Sequence, residues 1–111
     1  MIVEICANSF ESAMAAQSGG ADRIELCTKL AVGGLTPSHH LIKKVMSELS
    51  IPIHVLIRPR KGNFCYSKEE LNIMKNDIEF IIVSLFKSIL ISTSSPQNPN
   101  HSLSPYLLSL P

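Results

Sequence analysis

Two short segments decide the fold of this chain, VEIC at residues 3–6 and IELC at residues 24–27. Both are β-rich runs, and they are near-copies of each other. Between them lies the Ala-rich segment FESAMAAQ at residues 10–17, which favours a helix and stops at Gly19-Gly20. A strand, a helix and a second similar strand predict a parallel β/α arrangement.

The same alternation continues to about residue 80. IHVLI at residues 53–57 is a third β-rich run, and Thr36-Pro37 before the second helix supplies an N-cap and an N1 proline. The third helix starts at a capping box, in which Ser67 and Glu70 each bond the backbone of the other. We therefore predict three β/α units.

The composition changes abruptly after residue 80. Only one charged side chain, Lys87, follows Glu79, and four of the seven prolines lie in residues 92–111. Prolines interrupt helices and central strands. We expect residues 1–80 to carry the fold and residues 81–111 to form an irregular tail outside it.

The bulk composition limits the classes of function. At 111 residues and 45% hydrophobic content, the chain has material for a single core. A net charge of +1 with scattered Lys and Arg gives no footprint for nucleic acid or an anionic membrane. The apolar run at residues 80–91 is too short to span a bilayer, which takes about 20 residues.

The N-terminal sequence and the cysteines favour the cytoplasm. MIVEICANSF lacks the charged start and long apolar run of a secretory signal. The three cysteines, Cys6, Cys27 and Cys65, form neither an even disulfide framework nor a CxxC pair. In a reducing compartment they are expected to be free thiols.

Period-two alternation sorts the strand residues onto two faces. Glu4 and Cys6 share one face, and Glu25 and Cys27 share the equivalent face of the next strand. His54 falls on the corresponding face of the third strand. This polar face suits the lumen and mouth of a barrel, whereas the opposite face is apolar and suits helix packing; its residues are Val3, Ile5, Ile24, Leu26, Val55 and Ile57.

An ordered set of motifs over about residues 1–80 resembles the CutC family of copper homeostasis proteins. The motifs are EIC at 4–6, NSFESA at 8–13, GGADRIELC at 19–27, GGLTPS at 33–38, IRPR at 57–60 and FCYS at 64–67. The resemblance implies a TIM-type (β/α) barrel, which takes eight units and roughly 250 residues. The chain supplies the first three units. Its departure from the family pattern after residue 80 is sudden, as in a truncated product.

The pair Cys6 and Cys27 is the candidate metal site. Placed at equivalent positions of adjacent strands, which lie about 4.8 Å apart, both thiolates would reach one ion, and soft thiolates select Cu(I) or Zn. By residue type alone, a buried free cysteine acting as a small hydrophobe is the favoured alternative. The family resemblance implies the same two residues as Cu(I) ligands.

Glu4, Glu25 and Arg58 are the candidate catalytic residues. The carboxylates lie one layer below the thiols, and Arg58 follows strand three, where a guanidinium suits an anionic group. The alternative is structural: an ion pair of either glutamate with Arg23 or Arg58. The adjacent His39 and His40 do not share a helix face and make a poor chelate, so we expect them to be exposed.

The sequence leaves three functions open. The first is copper homeostasis through Cu(I) bound by cysteine thiolates, with homo-oligomers an option in full-length relatives. The second is a TIM-barrel enzyme acting on a small anionic substrate. The third is a non-functional fragment, since three β/α units leave the outer strands with unpaired edges. The resemblance favours the copper-binding protein over the enzyme.

Overall fold

The computed structural model describes residues 1–94 and 106–109, with side chains through residue 86. Its elements alternate strand and helix along the chain. They are β1 (Glu4–Ala7), α1 (Phe10–Ser18), β2 (Arg23–Leu26), a 3₁₀ turn (Leu30–Val32), α2 (His39–Glu48), β3 (Ile53–Leu56), α3 (Lys68–Ser94) and β4 (Tyr106–Ser109).

The strands form one parallel sheet in the order β1-β2-β3-β4. Each strand therefore pairs with the next one along the chain, and a helix connects each of the first three strands to its neighbour. Sequential parallel strands with connecting helices are the way in which a (β/α) barrel begins. The predicted α/β class and partial barrel are confirmed.

Helix starts follow the sequence signals closely, with one exception. The Ser9 hydroxyl caps α1 by accepting from the Ser12 amide at 3.0 Å. Ser67 and Glu70 form the predicted capping box of α3, with distances of 3.2 and 2.9 Å. The predicted start of α2 at Thr36-Pro37 is wrong, because Ser38 is its N-cap and the helix begins at His39.

Thr36 forms its hydrogen bonds with Arg58 and does not cap α2. Its hydroxyl accepts a hydrogen bond from the Arg58 amide at 2.7 Å, and its own amide donates to the Arg58 carbonyl at 3.0 Å. The connection from β2 to α2 is thereby tied to the end of β3. Because the Thr36 hydroxyl is engaged by the Arg58 amide, it is not free to cap the helix.

The core lies between the apolar face of the sheet and the first two helices. Ile24 and Leu26 in β2 are fully buried, as are Ile53 and Val55 in β3. They pack against residues of α1 and α2, namely Ala13, Ile42, Val45 and Met46. Burial of each large aliphatic side chain contributes about 1.5–3 kcal/mol. The predicted two-faced pattern of β2 and β3 is confirmed.

The part after residue 80 differs from the expected irregular tail in two places. Helix α3 continues to Ser94, and Tyr106–Ser109 pairs with β3. The sequence permits both, because residues 68–94 contain neither Gly nor Pro and YLLS is a short apolar run. The remaining tail residues lie outside the described part of the chain, so the domain boundary at residue 80 stays a prediction.

Helix α3 docks on α2 through a polar and aromatic contact. His39 Nε2 lies 2.7 Å from Asp77 Oδ1, and the imidazole stacks on Phe80 with ring centroids 3.9 Å apart. His39 is exposed, as expected, but its side chain also has partners on α3 that the sequence did not predict. Over the ranges that the structure describes, no helix is both long and apolar enough to cross a membrane.

Replacing His39 by Ala is expected to lower the free energy of unfolding by about 1 kcal/mol, because it removes one hydrogen bond and one ring stack at a half-exposed site. Urea denaturation followed by circular dichroism measures the effect. His40→Ala is the matched control, since His40 is exposed on the same turn. Equal midpoints for both variants would show that the contact contributes nothing.

Candidate metal centre

The polar face of the sheet is organised in successive layers along the strands. Glu4 pairs in register with Arg23 near the amino ends. Cys6, Glu25 and His54 form the next row across β1, β2 and β3. A thiol, a carboxylate and an imidazole therefore lie side by side on neighbouring strands.

Cys27 lies beyond this row, towards the carboxyl end of β2. Its amide donates to the Ala7 carbonyl at 3.0 Å, so it is level with the end of β1 and not with Cys6. The expected equivalence of the two cysteines is wrong, and the two glutamates do not share one deeper layer, because Glu25 is level with Cys6. Neighbouring strands of a barrel are staggered along the barrel axis. Residues at the same position in VEIC and IELC therefore lie at different levels of the sheet.

Both thiols nevertheless lie on the polar face, and burial and negative charge act on each of them. Burial raises the pKa of Cys6, and the charges of Glu25 and Glu4 raise it further. Burial is also the main cause that raises the pKa of Cys27, followed by the charges of Cys6 and Glu25. The charge of Cys6 thus acts on Cys27, and the pKa of both thiols lies above its ordinary value.

Glu4 forms the ion pair that the structural alternative predicts. Arg23 Nε donates to Glu4 Oε2 at 2.5 Å, and His54 Nδ1 lies 3.9 Å from the same oxygen. By contrast, no ion pair or side-chain hydrogen bond holds the Glu25 carboxylate among residues 1–86. Of the two carboxylates, Glu25 is therefore the one available for chemistry.

Arg58 is engaged by backbone carbonyls. Its Nη1 donates to the carbonyls of Val32 at 2.8 Å and Gly34 at 3.2 Å, and its Nη2 donates to Gly62 at 3.2 Å. The alternative for Arg58, a bridge to Glu25, is not among the ion pairs of residues 1–86. The guanidinium instead ties the loop after β2 to the loop after β3, and an anionic substrate would have to compete with these bonds.

The loop after β2, residues 29–35, forms a cover over Cys27 that the sequence did not predict. Cys27 is only 1% exposed, because Gly34 of this cover loop packs directly over its side chain. Cys6 is exposed. The Gly33-Gly34 pair was the available signal, since a glycine pair permits close approach of a backbone.

The donor set at this face is small. No group of three or more His, Cys, Asp or Glu side chains in the described ranges is arranged to hold a metal ion. The row of Cys6, Glu25 and His54 is therefore too spread out to act as a three-ligand site. What the geometry offers is a pair of thiols on adjacent strands.

Comparison with known proteins agrees with the fold and motifs. The model of the CutC family matches residues 1–100. The chain belongs to the CutC family. The match extends beyond the residues 1–80 that carry the motif resemblance.

Individual relatives are similar over the same region. A CutC family protein of Proteus mirabilis is 51% identical over 79 residues, covering 71% of this chain and 32% of that protein. The human copper homeostasis protein cutC homolog is 51% identical over 77 residues, covering 69% and 28%. The chain thus spans about a third of the length of the curated relatives that it matches.

A solved structure of a relative supports the fold. The crystal structure of a CutC protein from Streptococcus agalactiae matches with a TM-score of 0.70 and 41% identity. The match covers 76% of this chain and 42% of that protein. The parallel sheet of this chain therefore corresponds to part of a larger CutC fold.

Replacing Glu25 by Gln is expected to lower the pKa of both Cys6 and Cys27, because it removes a negative charge that opposes thiolate formation. Each thiol should then reach half of its maximal alkylation rate by iodoacetamide at a lower pH than in the parent. Residue-resolved mass spectrometry measures the two profiles. Glu11→Gln, on the exposed side of α1, is the control, and profiles unchanged from the parent would contradict the assigned cause.

Proposed function

We propose that this chain contributes to copper homeostasis by binding Cu(I) through the thiolates of Cys6 and Cys27. The observation that supports the proposal is the position of both cysteines on one face of adjacent parallel strands, where the charge of Cys6 raises the pKa of Cys27. Soft thiolates prefer Cu(I) over hard cations. The copper ion is then the cargo of the chain, not a resident cofactor.

The small number of donors favours Cu(I) over zinc, the other soft ion that thiolates select. Protein zinc sites take three or four protein ligands in tetrahedral geometry. The described part of the chain supplies no such group. Calcium and magnesium require oxygen ligands, which a thiol pair does not supply. A two-thiolate site for Cu(I) is consistent with the geometry.

Ion binding at this site has to displace protons. Both thiols have a raised pKa, and a thiol must lose its proton to become a ligand. Affinity for Cu(I) is therefore expected to increase with pH. Glu25 has two opposed effects, because its charge hinders deprotonation but stabilises a bound cation.

Only binding by these residues is proposed for the chain. It spans 32% of the Proteus mirabilis relative, so the activity of a whole barrel is not assigned to it. A cytoplasmic location is part of the proposal, because free thiols persist in a reducing compartment.

Catalysis on a small anionic substrate receives less support. Two of its three candidate residues are engaged, Glu4 by Arg23 and Arg58 by backbone carbonyls. Of the two candidate glutamates, only Glu25 lacks an ion-pair partner among residues 1–86. General acid–base catalysis uses two groups whose environments push their pKa values apart. A single free carboxylate beside a thiol does not supply such a pair.

Anaerobic titration of the 111-residue chain with Cu(I), in competition with a chromophoric chelator, tests the proposal. The parent is expected to bind Cu(I), with an affinity that increases from pH 6 to pH 8. The double variant Cys6→Ser/Cys27→Ser should lose this binding, because both soft ligands are removed.

Cys65→Ser is the matched control, because Cys65 is an exposed thiol in the loop after β3. This variant should titrate as the parent does. Unchanged stoichiometry and affinity in the double variant would discard the copper proposal, as would equal loss of binding in the Cys65 variant.

A further inference from the structure

The two proposed ligands differ sharply in access to solvent. Cys6 is exposed, whereas Cys27 is 1% exposed beneath Gly34. A Cβ atom added at Gly34 would lie 3.6 Å from the Cys27 sulfur and 2.9 Å from Leu56 Cδ2. The cover loop thus lies in van der Waals contact with Cys27, and the approach to Leu56 and a φ of +94° favour glycine at this position.

The cover loop is held from within by backbone hydrogen bonds of 3.0–3.2 Å across its turn, with little burial of its side chains. At its base, Thr28 and Leu35 exchange backbone hydrogen bonds of 2.9 and 2.8 Å. The 3₁₀ turn at residues 30–32 buries none of its side chains. Lys29 adopts a left-handed φ of 50°, which is unfavourable for a residue other than glycine. Segments with few buried contacts open at low free-energy cost.

The Arg58 side chain adds hydrogen bonds that tie the cover loop itself to the end of β3. Its Nη1 reaches two carbonyls of the cover loop, those of Val32 and Gly34, from the end of β3. Its Nη2 is held in turn by the carbonyl of Gly62. Hydrogen bonds from a charged donor are stronger than neutral ones, at about 1.5–3 kcal/mol.

The position of the guanidinium is itself constrained. Arg58 Nε is buried and has no hydrogen-bond partner within the described part of the chain, which is an unfavourable state for a charged group. The ring of Phe64 lies 5.5 Å from the guanidinium carbon. The hydrogen bonds of Nη1 and Nη2 to carbonyls must therefore offset this cost. They explain why the guanidinium is held in this position.

We propose that the cover loop opens and closes over Cys27 as a local unit, and that Arg58 is the positioning residue that holds it closed. Access to Cys27 is then set by Arg58 through a local equilibrium and not by unfolding of the whole chain. If the proposed copper function holds, an ion reaches both thiolates only in the open state. The opening itself does not depend on that function.

Thiol labelling without any metal tests the proposal. In a chain carrying Cys6→Ser and Cys65→Ser, Cys27 is the sole thiol, and its alkylation by iodoacetamide is expected to be slow. Adding Arg58→Gln should accelerate it about tenfold or more, since loss of each charged hydrogen bond shifts the opening equilibrium by roughly that factor. Arg58→Lys should restore part of the protection, because an ammonium can still donate to one cover-loop carbonyl.

Two controls test whether the effect of Arg58→Gln is specific to the cover loop. A chain with Cys6 as its sole thiol, carrying Cys27→Ser and Cys65→Ser, should label at the same rate with and without Arg58→Gln. Arg60→Gln should leave Cys27 labelling unchanged, because Arg60 donates to Asn63 and Cys65 in its own loop. Acceleration by Arg60→Gln equal to that by Arg58→Gln would overturn the assignment.

Urea dependence separates local opening from global unfolding. Local opening exposes little surface, so the labelling rate of Cys27 at low urea should change only weakly with urea concentration. A rate that instead rises with the full slope of global unfolding, in parent and variant alike, would overturn the proposal. So would a Cys27 that stays as slow in Arg58→Gln as in the parent.

Gly34→Ala is a second variant that leaves Arg58 intact. The added methyl group would meet Leu56 at 2.9 Å, and the φ of +94° disfavours any side chain at this position. The cover loop should therefore be displaced and Cys27 should label faster. Parent-like labelling of a folded Gly34→Ala chain would contradict the tight cover. Because no copper is present, failure of this test is distinguishable from failure of the copper titration.

Discussion

The hydrogen-bond register between β1 and β2 determines which polar side chains lie next to each other on the polar face of the sheet. It sets Cys6 level with Glu25 and leaves Cys27 one step further along, at the mouth of the sheet. A slip of one residue would turn every side chain of one strand to the opposite face. Burial of Ile24 and Leu26 against α1 and α2 prevents that slip, so the apolar face fixes the geometry of the polar one.

The stagger of the strands gives the two thiols different environments within one site. Cys6 lies in a row with Glu25 and His54, open to solvent, whereas Cys27 is enclosed by the loop that follows its own strand. Burial and nearby negative charge raise the pKa of both thiols. A thiol pair of this kind is unreactive until a strongly thiophilic partner displaces its protons.

The sequence predicted what depends on local pattern and missed what depends on distant contacts. Alternation assigned Ile24 and Glu25 to opposite faces, and the Ser67 capping box marked a helix start, because both depend on near neighbours. The height of Cys27 depends on barrel stagger, which no single strand encodes. The bonds of Arg58 to the cover loop cross more than twenty residues of chain and involve only carbonyls, which carry no sequence signal.

The outer edge of β1 has a consequence for how the chain behaves in solution. Val3 and Ile5 are about two-fifths exposed there, beside a largely apolar groove of about 480 Å³ bounded by Ala15 and Ala16 of α1. Exposed strand edges with apolar neighbours act as templates for another chain. Self-association should therefore increase with protein concentration, and charged residues introduced at this edge would be the means of keeping the chain monomeric.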